Sequence, residues 1–320
     1  FHTVGYALYE ADGGTSDNIT DKVSALDSIA KYAYKFGLGV AEGENPSTGL
    51  EIDENFGQTY NFKSWKTKVI DTPMYTLVEQ LSQGNYNGMF FFANFNISKN
   101  DADSKELAQL KVDLKSKITD ALELVGTEKQ ITNADSFAET IVDDIKVVMN
   151  ASEEYQASLA QYNADRTSKT DIDEQAQIVA NAIAQYTISD MTTQITTYAE
   201  IVKDAIGQSM NAFTPVQLAN YVATLASGGT RHKVMIVDKI TSSEGEVIQQ
   251  FEPEVVDQLD IPADILQTVK EGMRMVNTYS GNGTAYNCFN SFPIEVCGKT
   301  GTADFGTEEN YTVIGRRPYG

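Results

Sequence analysis

A short polar run near the end of the chain has the residue types of an anion-binding site. It spans residues 298–302, Gly-Lys-Thr-Gly-Thr, and follows a strand-compatible segment, residues 294–297. Lys299 supplies a fixed positive charge, and Thr300 and Thr302 supply hydroxyl groups that can donate to a carboxylate. Gly301 has no side chain, so an extended peptide can approach the backbone there. The pattern predicts a buried strand over 294–303 that ends in a cleft and binds a substrate carboxylate.

The elements that would position this strand precede it in the chain. Residues 234–240 and 247–251 have strand composition, and the polar turn 242–246 separates them. A helix over 263–276 follows, entered through Pro262, and a glycine-bearing loop then leads to the strand. This order predicts an α+β fold, an antiparallel sheet with flanking helices.

Capping residues also indicate where two helices earlier in the chain begin or end. Thr214, Pro215 and Gln217 form a capping threonine, a proline at the first helical position and a capping-box glutamine. They predict a helix that ends before the glycine pair at 228–229. Nearer the start of the chain, one apolar face over 26–36 predicts a helix with Gly37 as its C-terminal cap.

The segment 58–203 differs from its flanks because it has helical periodicity and few residues that indicate turns. It contains four one-sided apolar stripes, which predict helices that bury against one another as a bundle. The run Met89 to Phe92 predicts a short core strand. The stripes are Leu107, Leu110, Leu114, Ile118, Ala121; Phe137, Ile141, Ile145, Val148; Ile172, Ala176, Val179, Ile183, Tyr186; and Met191, Ile195, Tyr198, Val202.

Composition excludes several classes of function. The 320 residues have a net charge of −21, which argues against nucleic acid as a partner. No apolar run approaches the ~20 residues needed to cross a bilayer. His2 and His232 are isolated from other ligand residues, so neither a metal nor another cofactor is expected.

The two cysteines, Cys288 and Cys297, are nine positions apart. We expect two buried free thiols, and a disulfide across a hairpin is the alternative.

Taken in order, these motifs resemble the transpeptidase domain of class B (monofunctional) penicillin-binding proteins. The similarity covers about residues 1–57 and 204–304, and 58–203 is then an insertion. The resemblance therefore implies a transpeptidase fold in two parts, 1–57 and 204–320, with a helical insertion over 58–203. The matching motifs are Gly37-Leu38-Gly39, Thr48-Gly49-Leu50 with Glu54 and Gly57, Ile206-Gly207-Gln208, Thr214-Pro215-Val216-Gln217-Leu218-Ala219 with Gly228-Gly229, Gly283-Thr284-Ala285, and Gly298-Lys299-Thr300-Gly301-Thr302-Ala303.

The resemblance implies a function and a site. Enzymes of this family cross-link peptidoglycan stem peptides by serine acyl transfer and are acylated by β-lactams. Lys299, Thr300, Gly301 and Thr302 would bind the peptide, with Lys299 also in a catalytic role, and the backbone N–H of Thr302 would be one oxyanion-hole donor. The location implied is the outer face of a bacterial plasma membrane, with the anchor outside this chain. Cell elongation or division proteins are candidate partners.

The nucleophile motif of the family is not matched in its expected place. Ser28-Ile29-Ala30-Lys31 fits Ser-x-x-Lys in letters, but it lies in a helix that should follow the catalytic motifs, so we interpret it as a coincidence. Ser16-Asp17-Asn18 fits the family's Ser-x-Asn loop in letters, but we favour a polar turn before the next helix, with the catalytic loop as the alternative. The hypothesis is therefore an internal fragment without its nucleophile, which is inactive by itself.

Two other functions are compatible with these motifs. One is a β-lactamase or D,D-carboxypeptidase of the same fold. The other is a non-catalytic cell-wall scaffold module, in which the helices of 58–203 would bind a partner protein.

Overall fold

The computed structural model describes residues 2–41, 48–54, 56–164 and 166–301, without the side chains of residues 72 and 73. The chain divides into two compact units. The first unit comprises residues 1–29 and 60–206, and the second comprises 30–59 and 207–320.

The first unit is mainly helical. One small antiparallel hairpin, β1 (Asn85–Tyr86) with β2 (Phe90–Phe91), interrupts the helices. The helices are α1 (His2–Ala11), α2 (Ile19–Leu26), the start of α3 (Ser28–Lys35), α4 (Phe62–Ser82), α5 (Lys105–Glu123), α6 (Ala134–Ala151), α7 (Glu153–Ala164), α8 (Ile172–Ala184), a π-helix (Gln185–Met191), α9 (Thr192–Ile195) and α10 (Ala199–Asp204).

Side-chain caps explain where several of these helices begin. Asn61, Ser104, Asn133 and Asp171 precede α4, α5, α6 and α8, and each accepts a hydrogen bond from a backbone N–H in the first turn. Such a cap satisfies one of the N–H groups that the helix itself leaves without a partner. The boundaries are therefore encoded locally.

The predicted apolar stripes form the core of this unit. Leu114, Ile118, Ile141, Ile145 and Val179 are almost completely buried. Helices α5, α6 and α8 pack through these faces, as the periodicity of three and four predicts. The prediction of a self-packed helical bundle is confirmed for these stripes.

The fourth stripe was predicted as one helix, and that prediction is wrong. The chain forms the π-helix and α9, breaks at 196–198, and resumes as α10. Thr196 turns its hydroxyl back to the carbonyl of Thr192 at 2.8 Å, and Thr197 accepts from the N–H of Ala199 at 3.3 Å. These local hydrogen bonds compete with continuation of the helix. Tyr198 lies at the break and packs edge-on against Tyr6, with 5.1 Å between ring centroids.

The predicted core strand at Met89 to Phe92 is confirmed only in part. Phe90 and Phe91 pair with β1, and Phe92 is buried, whereas Met89 and Phe91 are exposed. Met89 lies in the hairpin turn, where it has no facing strand.

The second unit contains the rest of α3 and helices α11 (Pro215–Ala226), α12 (Ala263–Thr278) and α13 (Tyr286–Phe289). Its strands are β3 (Thr230–His232), β4 (Lys239–Thr241), β5 (Val247–Gln250) and β6 (Val255–Gln258). Strand β3 pairs with β6 and β4 with β5, and both pairs are antiparallel. The α+β class with antiparallel sheets is confirmed.

Several boundaries differ from the sequence-based expectation. The helix predicted over 26–36 corresponds to α3, which begins at Ser28, because Leu26 ends α2 and Asp27 separates the two helices. Gly37 follows α3 with the expected positive φ of 76°. The strand predicted over 234–240 is limited to β4. The pairing of β3 with β6 was not predicted, because it joins residues more than twenty positions apart.

Candidate functional site

The Lys-Thr-Gly segment of the second unit is exposed and irregular over its described part. Residues 294–301 form no strand, and Ile294 is 69% exposed, so the predicted buried strand is wrong here. The physical reason is the lack of a pairing strand: no described strand bonds to this segment, and its backbone bonds to helix α12 instead. Thr302, the predicted oxyanion-hole donor, lies outside the described residues, as does Ala303.

Helix α12 holds the segment just before Lys299. The side-chain amide of Asn277 donates to the carbonyl of Val296 at 2.9 Å. One turn earlier on the helix, the carbonyl of Met273 accepts from the N–H of Gly298 at 3.0 Å. These bonds fix the backbone on both sides of Cys297.

The side chains of Lys299 and Thr300 remain accessible. The Lys299 ammonium contacts the carbonyl of Thr300, and no described carboxylate forms an ion pair with it. The hydroxyl of Thr300 lies 3.3 Å from that of Thr284. A Cβ added to Gly301 would meet no atom within 4 Å. The segment and the neighbouring Thr284 thus present one cation and two adjacent hydroxyl groups to solvent.

An ion-pair chain lies beside the segment on α12. Arg274 donates to both carboxylate oxygens of Glu271, at 2.8 and 2.6 Å, and its guanidinium is 3.7 Å from Glu295. The hydrogen bond with Glu271 raises the pKa of Arg274 and, in return, lowers the pKa of Glu271. Both residues therefore stay charged, and Glu271 and Glu295 together balance the positive charge of Arg274.

Gln217 brings three of the predicted motifs together in the second unit. It is buried at the start of α11, where it completes the predicted capping box with Thr214. Its side-chain oxygen also accepts from the N–H of Gly57 at 3.1 Å, and its amide donates to the carbonyl of Gly37 at 3.3 Å. The sequence indicated only the capping role, because the partners are 160 and 180 residues away.

Gly57 requires the absence of a side chain. A Cβ there would lie 1.8 Å from the carbonyl oxygen of Ala212, whose backbone pairs with Gln58. Nearby, Thr48 donates its N–H to Glu54 at 2.9 Å and hydrogen-bonds the same carboxylate through its hydroxyl. These contacts give the motif glycine and the Thr48–Glu54 pair structural roles. Asn55, between them in the chain, lies outside the described residues.

Ser28 does not have the surroundings of a nucleophile. Its side chain is fully buried, and its hydroxyl lies 2.6 Å from Asp12 and 2.7 Å from the carbonyl of Ala25. A nucleophilic serine needs an accessible hydroxyl beside a base. The interpretation of Ser28-Ile29-Ala30-Lys31 as a coincidence is supported.

Ser16 and Asn18 begin helix α2 of the first unit. Asn18 is its N-cap and accepts from the N–H of Thr20 at 2.7 Å, and Ser16 bonds to Asp21 at 2.9 Å. These are the contacts of a polar turn before a helix. They account for both side chains without a catalytic role.

Both cysteines are free, as predicted, but they are exposed, so the prediction of buried thiols is wrong. Cys288 belongs to α13 and Cys297 to the irregular segment before Lys299, and both side chains are exposed although these elements contact α12. Among the described residues, no group of three or more His, Cys, Asp or Glu side chains could hold a metal ion. No helix in the described ranges is long and apolar enough to cross a membrane.

The family profile described as "Penicillin binding protein transpeptidase domain" matches residues 152–315, which is more than half of the chain. The chain belongs to this family. The resemblance predicted from the motifs is thereby confirmed, and the relatives place the chain with the class B proteins. The match begins at Ser152, inside the predicted insertion, so the limits 58–203 stay a prediction.

Curated relatives come from two bacteria. Penicillin-binding protein 2A of Bacillus subtilis is 36% identical over 104 residues, covering 31% of this chain and 14% of the relative. Penicillin-binding protein H of the same species is 34% identical over 128 residues, covering 38% and 17%. Penicillin-binding protein 2B of Streptococcus pneumoniae is 34% identical over 113 residues, covering 33% and 16%. The matched part thus spans less than a fifth of each relative.

Among solved structures, penicillin-binding protein 2B of S. pneumoniae strain R6 aligns with 91% of this chain and 50% of its own, at 17% identity and a TM-score of 0.32. The same protein from strain 5204 aligns with 61% and 30%, at 17% identity and a TM-score of 0.30.

Proposed function

We propose that the chain is part of a peptidoglycan D,D-transpeptidase and that its Lys-Thr-Gly segment binds the terminal carboxylate of a stem peptide. The observation that supports this most directly is the exposed Lys299 ammonium, which has no described carboxylate partner and is followed by the accessible hydroxyl of Thr300. A cation beside a hydroxyl donor suits a carboxylate ligand. Family membership supplies the reaction class.

In the whole protein, the proposed reaction has two steps. A serine hydroxyl attacks the carbonyl between the two terminal D-alanines, loses its proton to a base, and releases D-alanine as the amine leaving group. The amine of a neighbouring stem peptide then attacks the ester, which restores the serine and forms the cross-link. Residues 299–302 would hold the donor peptide, with Lys299 assisting catalysis and the N–H of Thr302 stabilising the oxyanion.

The serine of this reaction is proposed to come from outside this chain. The buried, hydrogen-bonded state of Ser28 supports that assignment. β-Lactams are proposed as ligands of the whole protein, the outer face of the plasma membrane as its location, and cell elongation or division proteins as candidate partners. The two-part transpeptidase domain with an insertion over 58–203 belongs to the same proposal.

The carboxylate site can be tested by reversible binding of a peptide that ends in D-Ala-D-Ala. We expect the free acid to bind to this chain and the C-terminal amide to bind at least about tenfold more weakly, since a lost charged hydrogen bond costs ~1.5–3 kcal/mol. Lys299→Met should remove this preference, whereas Lys239→Met, at an exposed lysine of β4, should retain it. Equal binding of acid and amide to the unmodified chain would overturn the proposed site.

The assignment of Ser28 can be tested with a fluorescent penicillin. We expect no label that survives boiling in denaturant on this chain. A stoichiometric label that disappears in Ser28→Ala would show that Ser28 is the nucleophile after all. Turnover of a chromogenic cephalosporin would instead favour the hydrolytic enzymes of the same fold.

A further inference from the structure

Asn277 is a buried polar residue whose side chain serves the Lys-Thr-Gly segment. It lies near the end of α12, is 3% exposed, and donates from Nδ2 to the carbonyl of Val296 at 2.9 Å. A buried side-chain amide is costly unless it is hydrogen-bonded, so its partner defines its role. Here the partner is the backbone of another segment, 19 residues away, and not the helix that contains Asn277.

The contact with Val296 acts together with a second bond from the same helix face. Met273 is four residues before Asn277 and therefore on the same side of α12. Its carbonyl accepts from the N–H of Gly298 at 3.0 Å. A Cβ on Gly298 would lie 3.5 Å from the amide nitrogen of Asn277, so the glycine backbone packs directly against it. Two bonds thus fix the residues immediately before Lys299.

The end of α12 also positions the hydroxyl of Thr284, which lies beside Thr300. After the helix, the chain turns back, with the N–H of Gly283 donating to Tyr279 at 2.8 Å and that of Ala285 donating to Val276 at 3.0 Å. A Cβ on Gly283 would lie 2.7–2.8 Å from three carbonyl oxygens of this helix end. This turn places Thr284 next to Thr300. Asn277 lies within the same helix end.

Other contacts of the segment are weaker anchors. Glu295 pairs with Arg274 at 3.7 Å, but both side chains are exposed, and such pairs contribute little. No strand among the described residues pairs with residues 294–301. Asn277 therefore supplies the buried side-chain anchor in the described part of the site.

We infer that Asn277 is a positioning residue for substrate binding: its amide sets the backbone at Val296 and thereby the direction of Lys299 and Thr300 toward the carboxylate of a D-Ala-D-Ala peptide. This inference rests on the proposed carboxylate site. It assigns no contact between Asn277 and the substrate. The predicted consequence of losing the amide is a loss of selectivity for the carboxylate.

The test measures binding of the peptide acid and of its C-terminal amide to variants of the chain. Asn277→Leu removes the amide at similar volume, and Asn277→Asp replaces the donor with an acceptor that faces the Val296 carbonyl. We expect both to bind the acid about tenfold more weakly, the effect of one lost hydrogen bond, with little change for the amide. Asn282→Asp is the control, because it adds the same charge at an exposed position of the adjacent loop.

The acid-to-amide ratio separates positioning from general stability, because partial unfolding would weaken both ligands alike. Hydrogen exchange at Gly298 gives a second measurement, since its N–H should lose protection in both Asn277 variants. If Lys299→Met loses the acid preference while both Asn277 variants keep it, the inference about Asn277 is wrong and the site stands. If the unmodified chain shows no preference, the proposed function and the inference both fail.

Discussion

The two units of the chain differ in where they place their apolar side chains. In the first unit, Leu114, Ile118, Ile141 and Ile145 are completely buried. In the second unit, the buried apolar residues among those described are few, and large side chains such as Ile248, at 68% exposed, lie on the surface. The buried set of the second unit is Ala30, Leu225, Leu259 and Leu266.

The difference follows from the two kinds of secondary structure. A helix satisfies its own backbone, so a one-sided stripe needs only another helix to bury it. A two-stranded sheet leaves both faces and both outer edges open, and it is marginally stable without a further layer. The first unit therefore has a core of its own, while the second depends on specific polar contacts such as those of Gln217.

The largest expected effect on the free energy of unfolding comes from a substitution in the core of the first unit. Lys111 and Asp103 form an ion pair at 3.0 Å, with side chains 1% and 4% exposed. Lys111→Met would leave the carboxylate without its partner, so we expect the free energy of unfolding to fall by about 3–5 kcal/mol in urea denaturation. Lys117→Met is the matched control at an exposed pair with Asp144, and its loss should be below about 1 kcal/mol.

A pair of isoleucines tests the difference in apolar burial directly. Ile145→Ala, in the first unit, should cost about 2–5 kcal/mol because it leaves a cavity among α5, α6 and α8. Ile248→Ala, on exposed β5, should change stability by less than about 0.5 kcal/mol. Equal losses in chemical denaturation would mean that β5 is covered in solution, which would contradict the comparison.

Gln217→Leu tests the polar contacts of the second unit. The substitution leaves the N–H of Gly57 and the carbonyl of Gly37 without their partner, so we expect a loss of about 1–3 kcal/mol. The rate of backbone hydrogen exchange should increase at Gly57 and at the start of α11. Gln249→Leu, at an exposed glutamine of β5, should leave this exchange pattern unchanged.

The smallest expected effect is a pH dependence of stability that arises from Asp103 in the first unit. Burial alone would raise the pKa of Asp103, but hydrogen bonds from Asn100 and Lys111 outweigh it and lower the pKa of Asp103. The unfolded state then binds the proton more readily, so this stabilisation is present above about pH 4 and is lost as the pH falls through the folded-state pKa. Denaturation of Asp103→Asn across this range should show a weaker pH dependence, and an unchanged slope would exclude the assignment.

Residue types predicted the start of α11 and the accessible polar residues of 298–301, whereas the binding roles of residues 299–302 stay a prediction. Thr214, Pro215 and Gln217 specify the start of α11 locally, and residues 298–301 are accessible as a binding role requires. Over residues 294–301, the predicted strand is not formed, because a strand is defined by its partner and local composition does not supply one. The prediction that Cys288 and Cys297 are buried was wrong because burial, too, depends on distant partners.

The sequence by itself determined the family, through its ordered motifs, and the helices of the first unit, through periodicity and capping. Both depend on residues close together in the chain. Only the tertiary structure decided that Gln217 joins Gly37 to Gly57, that β3 pairs with β6, and that Asn277 holds the backbone before Lys299. These contacts join distant segments, and the cost of bringing such segments together is recovered only when the whole set of contacts forms.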